Sequence, residues 1–222
     1  RHYGTEASLF FGSGFAANTA LFATLPQTGD LLLYDELIHA SVHDGMKLGR
    51  ARFQPFPHND CNALEQAIRV WRASGGTGTV WIAVESLYSM DGDRAPLADL
   101  TRIADSHDAM LVIDEAHAVE TPSLQTGLAD HIALARSCFA GLNLAEGQDS
   151  QIFPIIIGDD RVAVTVATLL QDKGFDVRAI RPPTVPAGTA RLRISLTLNV
   201  TPDDIRSLAA ALEEALAVAE AA

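Results

Sequence analysis

Asp114 and His117 are the first side chains in this sequence whose types and spacing suggest chemistry. They follow Met110-Leu-Val-Ile113, a short apolar run of the kind that forms a buried strand. Ligands of open α/β sheets bind outside the carboxyl ends of the strands. A carboxylate and an imidazole three residues apart at such an end could hold one small molecule, whereas a structural carboxylate in a loop is the simpler alternative.

The string Asp114-Glu-Ala-His117 is also the magnesium-binding box of a class of nucleic-acid helicases. Such enzymes need a phosphate loop of the form G-x-x-x-x-G-K-[ST], in which the lysine and the hydroxyl reach the phosphates and the metal. The chain has only two lysines, and Leu48 follows Lys47 while Gly174 follows Lys173. The helicase interpretation therefore fails within this sequence.

The composition indicates a globular protein that binds neither nucleic acid nor a membrane. With 222 residues, of which 48% are hydrophobic, the chain can form one large or two modest domains. Its formal charge of −12 argues against a phosphate backbone or an anionic bilayer as partner. Two cysteines are too few for a disulfide framework, and no membrane-length apolar segment is visible, so the cytoplasm is the expected compartment.

Strand-like and helix-like stretches alternate in the first half of the chain. Strands are predicted at residues 7–11, 31–35, 52–56, 80–86 and 110–113, with helical patterns between them. This alternation predicts an α/β domain with a mostly parallel sheet over residues 1–124. The remainder, 125–222, is predicted to be a smaller α/β domain, with strands at 151–157 and 191–196, a helix at 162–170 and a final helix that begins at Thr201-Pro202. Two such domains meeting at a cleft suit a cofactor enzyme.

Two further stretches could bind small ligands. The turn that contains Gly12 and Gly14 precedes a helical run, so its backbone N–H groups could face an anion, although a glycine turn without a ligand is the simpler explanation of this stretch alone. His39 and His43 are four residues apart and could share a helix face as metal ligands. No third ligand falls nearby, so no metal site is predicted.

Six motifs, taken in order, resemble those of the α-oxoamine synthases, which are pyridoxal-phosphate enzymes of the aspartate-aminotransferase fold (fold type I). The matching stretches are Gly12-Ser-Gly-Phe-Ala-Ala-Asn18, Ile38-His-Ala-Ser41, Phe56-Pro-His-Asn-Asp60, Glu85-Ser-Leu-Tyr-Ser-Met-Asp-Gly-Asp93, Asp114-Glu-Ala-His117 and Arg181-Pro-Pro-Thr-Val-Pro-Ala-Gly-Thr-Ala-Arg-Leu-Arg193. The resemblance covers nearly the whole chain. It implies fold type I and pyridoxal 5'-phosphate as the cofactor.

The resemblance also implies roles for individual residues. Asp114 would keep the ring nitrogen of the cofactor protonated, which the cofactor needs in order to act as an electron sink. His117 would bond the phenolic oxygen, and His39 would stack on the ring. Gly14 and Phe15 match positions near the phosphate, and Ser89 lies in the matching cofactor loop. Helix capping and loop hydrogen bonds are the alternative roles for such polar residues.

The activity implied by the resemblance is a decarboxylating condensation of an amino acid with an acyl-CoA, carried out by a homodimer. L-Alanine and pimeloyl-CoA are the leading substrates, with glycine or serine as the alternative amino acids. Thr184 would contact the substrate, and Arg193 would hold its carboxylate in a bidentate pair. Arg191 shares the strand face of Arg193 because side chains alternate with a period of two, and both arginines could instead form surface ion pairs.

The pattern of the family breaks after Val119. The family continues to a Ser/Thr-x-x-Lys-Ala segment whose lysine forms a Schiff base with the cofactor, whereas here residues 120–126 follow directly and no lysine stands in such a context. One account is that the sequence joins pieces of a longer chain and omits the lysine segment. The other is a true deletion that leaves a non-catalytic relative.

Overall fold

A computed structural model of the chain describes residues 6–118, 122–144 and 150–220. It divides into two compact units, the first comprising Arg1–Ser86 and Ala95–Ala116, the second Leu87–Arg94 and His117–Ala222. The boundary that the sequence suggests after residue 124 stays a prediction. In the described ranges, no helix has both the length and the apolar composition needed to cross a bilayer.

The first unit is built on a parallel sheet flanked by helices. Its strands are β1 (Leu31–Asp35), β2 (Arg52–Phe56), β3 (Val80–Glu85) and β4 (Ala109–Asp114), in the order β2-β1-β3-β4. Its helices are α1 (Gly14–Thr24), α2 (Ala40–Leu48), α3 (Cys61–Ala73) and α4 (Leu97–Ser106). The described strands pair in parallel, which confirms the predicted α/β class.

Apolar runs and caps explain these elements. Every residue of the central strand β3 is buried, which suits its nearly continuous apolar sequence. Helix α3 begins after Asp60, whose carboxylate caps it by accepting a hydrogen bond from the N–H of Ala63. Leu64 and Ile68 of α3 are fully buried, one turn apart on the inner face.

Strand β4 is much less buried than its sequence predicts. Met110 is 51% exposed and Ile113 is 37% exposed, so the predicted strand at 110–113 exists but the expectation that it is buried is wrong. The reason is its place in the sheet: among the described strands β4 pairs only with β3. Its other edge therefore presents backbone N–H and C=O groups that this sheet leaves unpaired.

Residues 7–11 do not form the strand that their apolar composition predicted. They have no regular secondary structure, and Leu9 and Phe10 are 87% and 99% exposed. A strand requires a neighbour to take its backbone hydrogen bonds, and none of the described strands pairs with this stretch. The apolar composition of the stretch does not show whether a partner strand exists.

The second unit combines helices with an antiparallel sheet. In chain order it contains α5 (Pro122–Cys138), β5 (Ile152–Gly158), α6 (Asp160–Asp172), β6 (Arg178–Ile180), β7 (Ala190–Ser195) and α7 (Pro202–Glu220). The strand order is β5-β7-β6. The predicted strands at 151–157 and 191–196, the helix at 162–170 and the helix start at Pro202 are all confirmed. Its core includes Phe139 packed edge-on against Phe153 and the fully buried Leu170 and Leu192.

Candidate active site

Asp114 ends β4, and both oxygens of its carboxylate accept hydrogen bonds within the first unit. Oδ2 accepts from Nδ2 of Asn18 at 2.6 Å, and Oδ1 accepts from the backbone N–H of Ala116 at 2.9 Å. The side chain is half-buried. Since each carboxylate oxygen offers about two acceptor positions, these bonds fix the orientation of the group and leave about one position on each oxygen for a further donor.

Asn18 and Ser41 connect Asp114 to His39. The Nδ2 group of Asn18 also lies 3.0 Å from Oγ of Ser41, and that hydroxyl lies 2.7 Å from Nδ1 of His39. Ser41 is fully buried and Asn18 is half-buried. The sequence analysis quoted both residues within motifs but assigned neither a role. The available signal was a polar pair, Asn18 and Thr19, in the otherwise small and apolar helix α1.

His39 lies at the N-cap of α2, where its ring accepts a hydrogen bond from the backbone N–H of Ser41 at 3.2 Å. A backbone N–H can only donate, so Nδ1 of His39 is the acceptor and the ring proton lies on Nε2. His43, within α2, instead packs edge-on against Tyr34 at 5.1 Å. Burial and the nearby Lys47 lower the pKa of His43. The two histidines therefore do not form the shared helix face that a metal pair would need.

The N-terminus of α1 offers backbone donors to an anion. Ser13 caps the helix by accepting from the N–H of Ala16, which leaves the N–H groups of Gly14 and Phe15 at the open first turn. A side chain added at Gly12 or Gly14 would meet no atom within 4 Å, so this turn faces open space. Phe15 is 50% exposed. An open first turn of this kind can bind an anion, and the phosphate role of Gly14 and Phe15 stays a prediction.

Asp35, at the end of β1, is a second carboxylate near this edge of the sheet, and the sequence did not single it out. It is fully buried and accepts from Nδ1 of His58 and from the N–H groups of Leu37 and Asn59, all at 2.9 Å. Burial acts to raise the pKa of Asp35, but the bond from His58 and the two backbone bonds outweigh burial and hold this pKa below its usual value. Every contact described for Asp35 is structural.

Ser89 and His117 belong to the second unit. Ser89 is buried, at 8% exposure, in a loop closed by a hydrogen bond from the N–H of Tyr88 to the carbonyl of Asp93. The carbonyl of His117 accepts a hydrogen bond from the side chain of Gln151, and its ring is half-buried. Their predicted roles, in the cofactor loop and at the phenolic oxygen, remain predictions.

The two arginines of β7 differ in environment, which the sequence could not show. Arg191 is 6% exposed and forms an ion pair with Asp91, while its Nε donates to the carbonyl of Thr189. Arg193 is half-buried and lines a groove of about 330 Å³ in the second unit. Thr184 is exposed in the loop before β7. Arg191 is thus committed to a structural contact, while the predicted role of Arg193 stays a prediction.

Both lysines of the chain lie at exposed positions and form ion pairs. The side chain of Lys47 is 68% exposed and lies 3.8 Å from Asp44. Lys173 is 37% exposed and pairs with Glu214. Residues 119–121, where the family pattern breaks, lie outside the described residues. Neither lysine has the buried surroundings in which an amine is commonly activated.

Comparisons with known proteins identify the family of the chain. The sequence matches the family aminotransferase class I and II over residues 1–135. It is 34% identical to an 8-amino-7-oxononanoate synthase of Maricaulis maris, over 99% of this chain and 74% of that protein. That alignment runs over 292 positions, whereas this chain has 222 residues, so at least 70 of the aligned positions have no residue here.

Solved structures resemble the chain closely in fold. A serine palmitoyltransferase of S. paucimobilis with bound pyridoxal phosphate and myriocin has a TM-score of 0.85 at 22% identity, covering 100% of this chain and 75% of that one. An 8-amino-7-oxononanoate synthase of Francisella tularensis has a TM-score of 0.74 at 20% identity, covering 95% and 82%. The chain therefore has fold type I of the pyridoxal-phosphate enzymes.

The chain belongs to the aminotransferase class I and II family and, within it, to the α-oxoamine synthases, whose cofactor is pyridoxal phosphate. The described residues of the first unit fit this cofactor. The open first turn of α1 offers donors to a phosphate, and the remaining acceptor positions of Asp114 suit a protonated ring nitrogen. When bound, pyridoxal phosphate supplies an electron sink for carbanions.

Proposed function

We propose that the chain is the core of an enzyme that condenses an amino acid with an acyl-CoA and releases carbon dioxide and CoA. The proposed substrates are L-alanine and pimeloyl-CoA, and the product is 8-amino-7-oxononanoate, an intermediate of biotin biosynthesis. The 34% identity to the Maricaulis maris protein over nearly the whole chain supports these substrates. The observation that carries the proposal is the Asp114 carboxylate, held as an acceptor through both oxygens.

The residues of the chain would have separate roles in binding the cofactor and the amino acid. Gly14 and Phe15 would donate backbone N–H groups to the cofactor phosphate, and Asp114 would hold the ring nitrogen in its protonated state. His39 would lie on the ring face, and Ser89 and His117 would complete the cofactor contacts. Thr184 and Arg193 would orient the amino acid. A guanidinium suits that task because its planar fork matches a carboxylate.

The experiment that tests the reaction is CoA release. The full-length gene product, with pyridoxal phosphate, is offered each of alanine, glycine and serine with acyl-CoAs of increasing length, pimeloyl-CoA included. The expected result is the fastest release of free CoA with alanine and pimeloyl-CoA. Faster release with glycine or serine would assign the chain to another member of the family, and no release with any pair would refute the proposed activity.

Arg193 is proposed to bind the carboxylate of the amino acid. Arg193→Lys should weaken amino-acid binding by about 1.5–3 kcal/mol, the scale of a hydrogen bond to a charged group, while cofactor affinity barely changes. The matched control is Arg178→Lys, which changes an exposed arginine opposite Arg193 on β6. A dissociation constant for the amino acid that is the same in Arg193→Lys and wild type would contradict this role.

A second candidate function is cofactor binding without catalysis. It is favoured by the two lysines, since both are exposed and ion-paired. Without a suitable amine, pyridoxal phosphate would be held only through its phosphate, its ring face and Asp114.

The intact mass and the visible spectrum after addition of pyridoxal phosphate separate the two candidates. A mass of 23.7 kDa with no borohydride-reducible adduct would establish the non-catalytic form. A larger mass with a reducible adduct that absorbs in the visible would establish an active lysine outside this sequence. The gap of at least 70 aligned positions is expected under either outcome, so the mass and the spectrum decide between them.

We further propose that the protein acts as a cytoplasmic homodimer, since the resemblance to the family implies sites at a dimer interface. Sedimentation equilibrium of the full-length product should give twice the protomer mass at micromolar concentration. A monomer under native conditions would count against an intact family member.

A further inference from the structure

Asn18 joins two groups that the cofactor would contact. Its side-chain amide lies 2.6 Å from Oδ2 of Asp114 and 3.0 Å from Oγ of Ser41, which in turn lies 2.7 Å from Nδ1 of His39. These residues come from three separate elements of the first unit: α1, the start of α2 and the end of β4. A single amide group thus spans the pair that flanks the proposed cofactor ring.

The direction of these hydrogen bonds is fixed by chemistry. A carboxylate can only accept, so the atom of Asn18 that faces Asp114 must be the NH₂ nitrogen, and its second hydrogen is then available to Ser41. Nδ1 of His39 already accepts from the backbone N–H of Ser41 at 3.2 Å. Because Nδ1 is an acceptor, the Ser41 hydroxyl donates to His39 and can accept from Asn18. The hydrogen bonds thus run without a break from the Asp114 carboxylate to the His39 imidazole.

The burial of Ser41 and a hydrogen bond from Ala116 hold this series of hydrogen bonds in place. Ser41 is fully buried. Removal of the partners of its hydroxyl would leave a buried polar group without a hydrogen bond, which costs free energy of folding. On the other side of Asp114, the N–H of Ala116 holds Oδ1 at 2.9 Å. With one donor on each oxygen, the carboxylate plane cannot turn without breaking a bond.

We propose that Asn18 is a positioning residue that sets the Asp114 carboxylate for the ring nitrogen of pyridoxal phosphate and, through Ser41, fixes the tautomer of His39. This inference rests on the proposed cofactor site and adds a residue to it. Asn18 itself donates both amide hydrogens to the protein. Its effect on the cofactor therefore passes through Asp114 and His39.

The test compares two cofactor analogues. Pyridoxal phosphate and its 1-deaza analogue, which carries carbon in place of the ring nitrogen, are titrated separately into the purified chain, and the dissociation constants are read from absorbance. The ratio of the two constants measures the contact with the ring nitrogen, because the phosphate and ring-face contacts are the same for both. Wild type should prefer pyridoxal phosphate, and Asn18→Leu should reduce that preference about tenfold, the scale of one hydrogen bond to a charged group.

Three further variants make the result specific. Asn18→Asp keeps the shape of the side chain but replaces the NH₂ donor by a second carboxylate, so it should also lose the preference for pyridoxal phosphate. This variant tests the proposal if Asn18→Leu does not fold. Ser41→Ala should leave the ratio unchanged but shift the signals of the two His39 ring nitrogens in NMR spectra, since those signals report the tautomer. Thr19→Val is the matched control, because the hydroxyl of Thr19 donates to the carbonyl of Ser41 at 3.4 Å, and no described hydrogen bond joins it to Asp114 or His39. This variant should change neither readout.

The outcomes separate the two proposals. Equal weakening of both analogues in Asn18→Leu and Asn18→Asp, with the ratio preserved, would overturn the positioning role and leave the cofactor site intact. Wild type that binds neither analogue, or binds both equally, would overturn the proposed use of Asp114 and this inference with it. A ratio lost in both Asn18 variants and kept in Thr19→Val supports the inference.

Discussion

At the scale of single residues, the pair formed by Arg191 and Asp91 shows what local patterns cannot reveal. Alternation along β7 placed Arg191 and Arg193 on one face and gave no means to separate them. The partner of Arg191 lies 100 residues earlier in the chain, so no short-range pattern could indicate it. Burial and this pairing identify Arg191 as a structural arginine, and the role of Arg193 in binding a substrate stays a prediction.

The buried contact of Arg191 predicts a loss of stability on substitution that an exposed arginine should not show. Arg191→Lys should lower the free energy of unfolding of the second unit by about 2–3 kcal/mol, because an ammonium cannot bond Asp91 and the carbonyl of Thr189 in the same geometry. Arg178→Lys, at an exposed position, should change it by less than about 0.5 kcal/mol. Urea unfolding followed by circular dichroism measures both. Equal effects would show that the Arg191 contact contributes nothing.

At the scale of elements, the sequence predicted where strands and helices lie better than what surrounds them. The described β1 to β4 and α3 follow their apolar patterns and the Asp60 cap, which are local signals. The misses depend on partners: β4 is exposed because no described strand covers its second edge, and residues 7–11 lack a strand to pair with. The same holds for the site, where Asp114 and His39 were predicted but the Asn18 and Ser41 contacts between them were not.

Asp35, at the end of β1, predicts how the stability of the protein depends on acidic pH. Hydrogen bonds hold the pKa of Asp35 below its usual value of about 3.9, so their stabilisation is complete above that pH and is lost as the pH falls through the lower folded-state value. Asp35→Asn should reduce the free energy of unfolding at pH 7 by about 2 kcal/mol. The difference from wild type should shrink below about pH 4.

Urea titrations at pH 7 and at several values below pH 4 measure this effect by tryptophan fluorescence. Asp44→Asn is the control, since Asp44 is exposed and only weakly paired with Lys47 at 3.8 Å. A difference between Asp35→Asn and wild type that stays constant with pH would refute the assigned cause.

At the scale of the whole molecule, each unit has a hydrophobic core of its own. One core contains Phe22, Leu32 and Ala83, and the other contains Phe153, Leu170 and Leu212. Both tryptophans, Trp71 and Trp81, belong to the first unit. Tryptophan fluorescence therefore reports on one unit, whereas circular dichroism reports on both.

Leu170→Ala should separate the two signals during unfolding. Removal of this fully buried side chain should cost the second unit about 2–5 kcal/mol, so part of the circular dichroism change should move to lower urea. The fluorescence midpoint should stay where it is in wild type. If both probes shift together, the chain unfolds as one cooperative unit.

The edge of β4 that no described strand covers has a consequence for the protein in concentrated solution. Four apolar residues in a row, without proline or charge, are a template on which another extended chain can be added, as in the early growth of fibrils. Light scattering of this chain should therefore rise after a lag that shortens with concentration. Met110→Lys should lengthen that lag, since a charge on the edge opposes stacking. Val70→Lys, at an exposed position of helix α3, should leave the lag unchanged. Equal lags in the two variants would assign the growth to another surface.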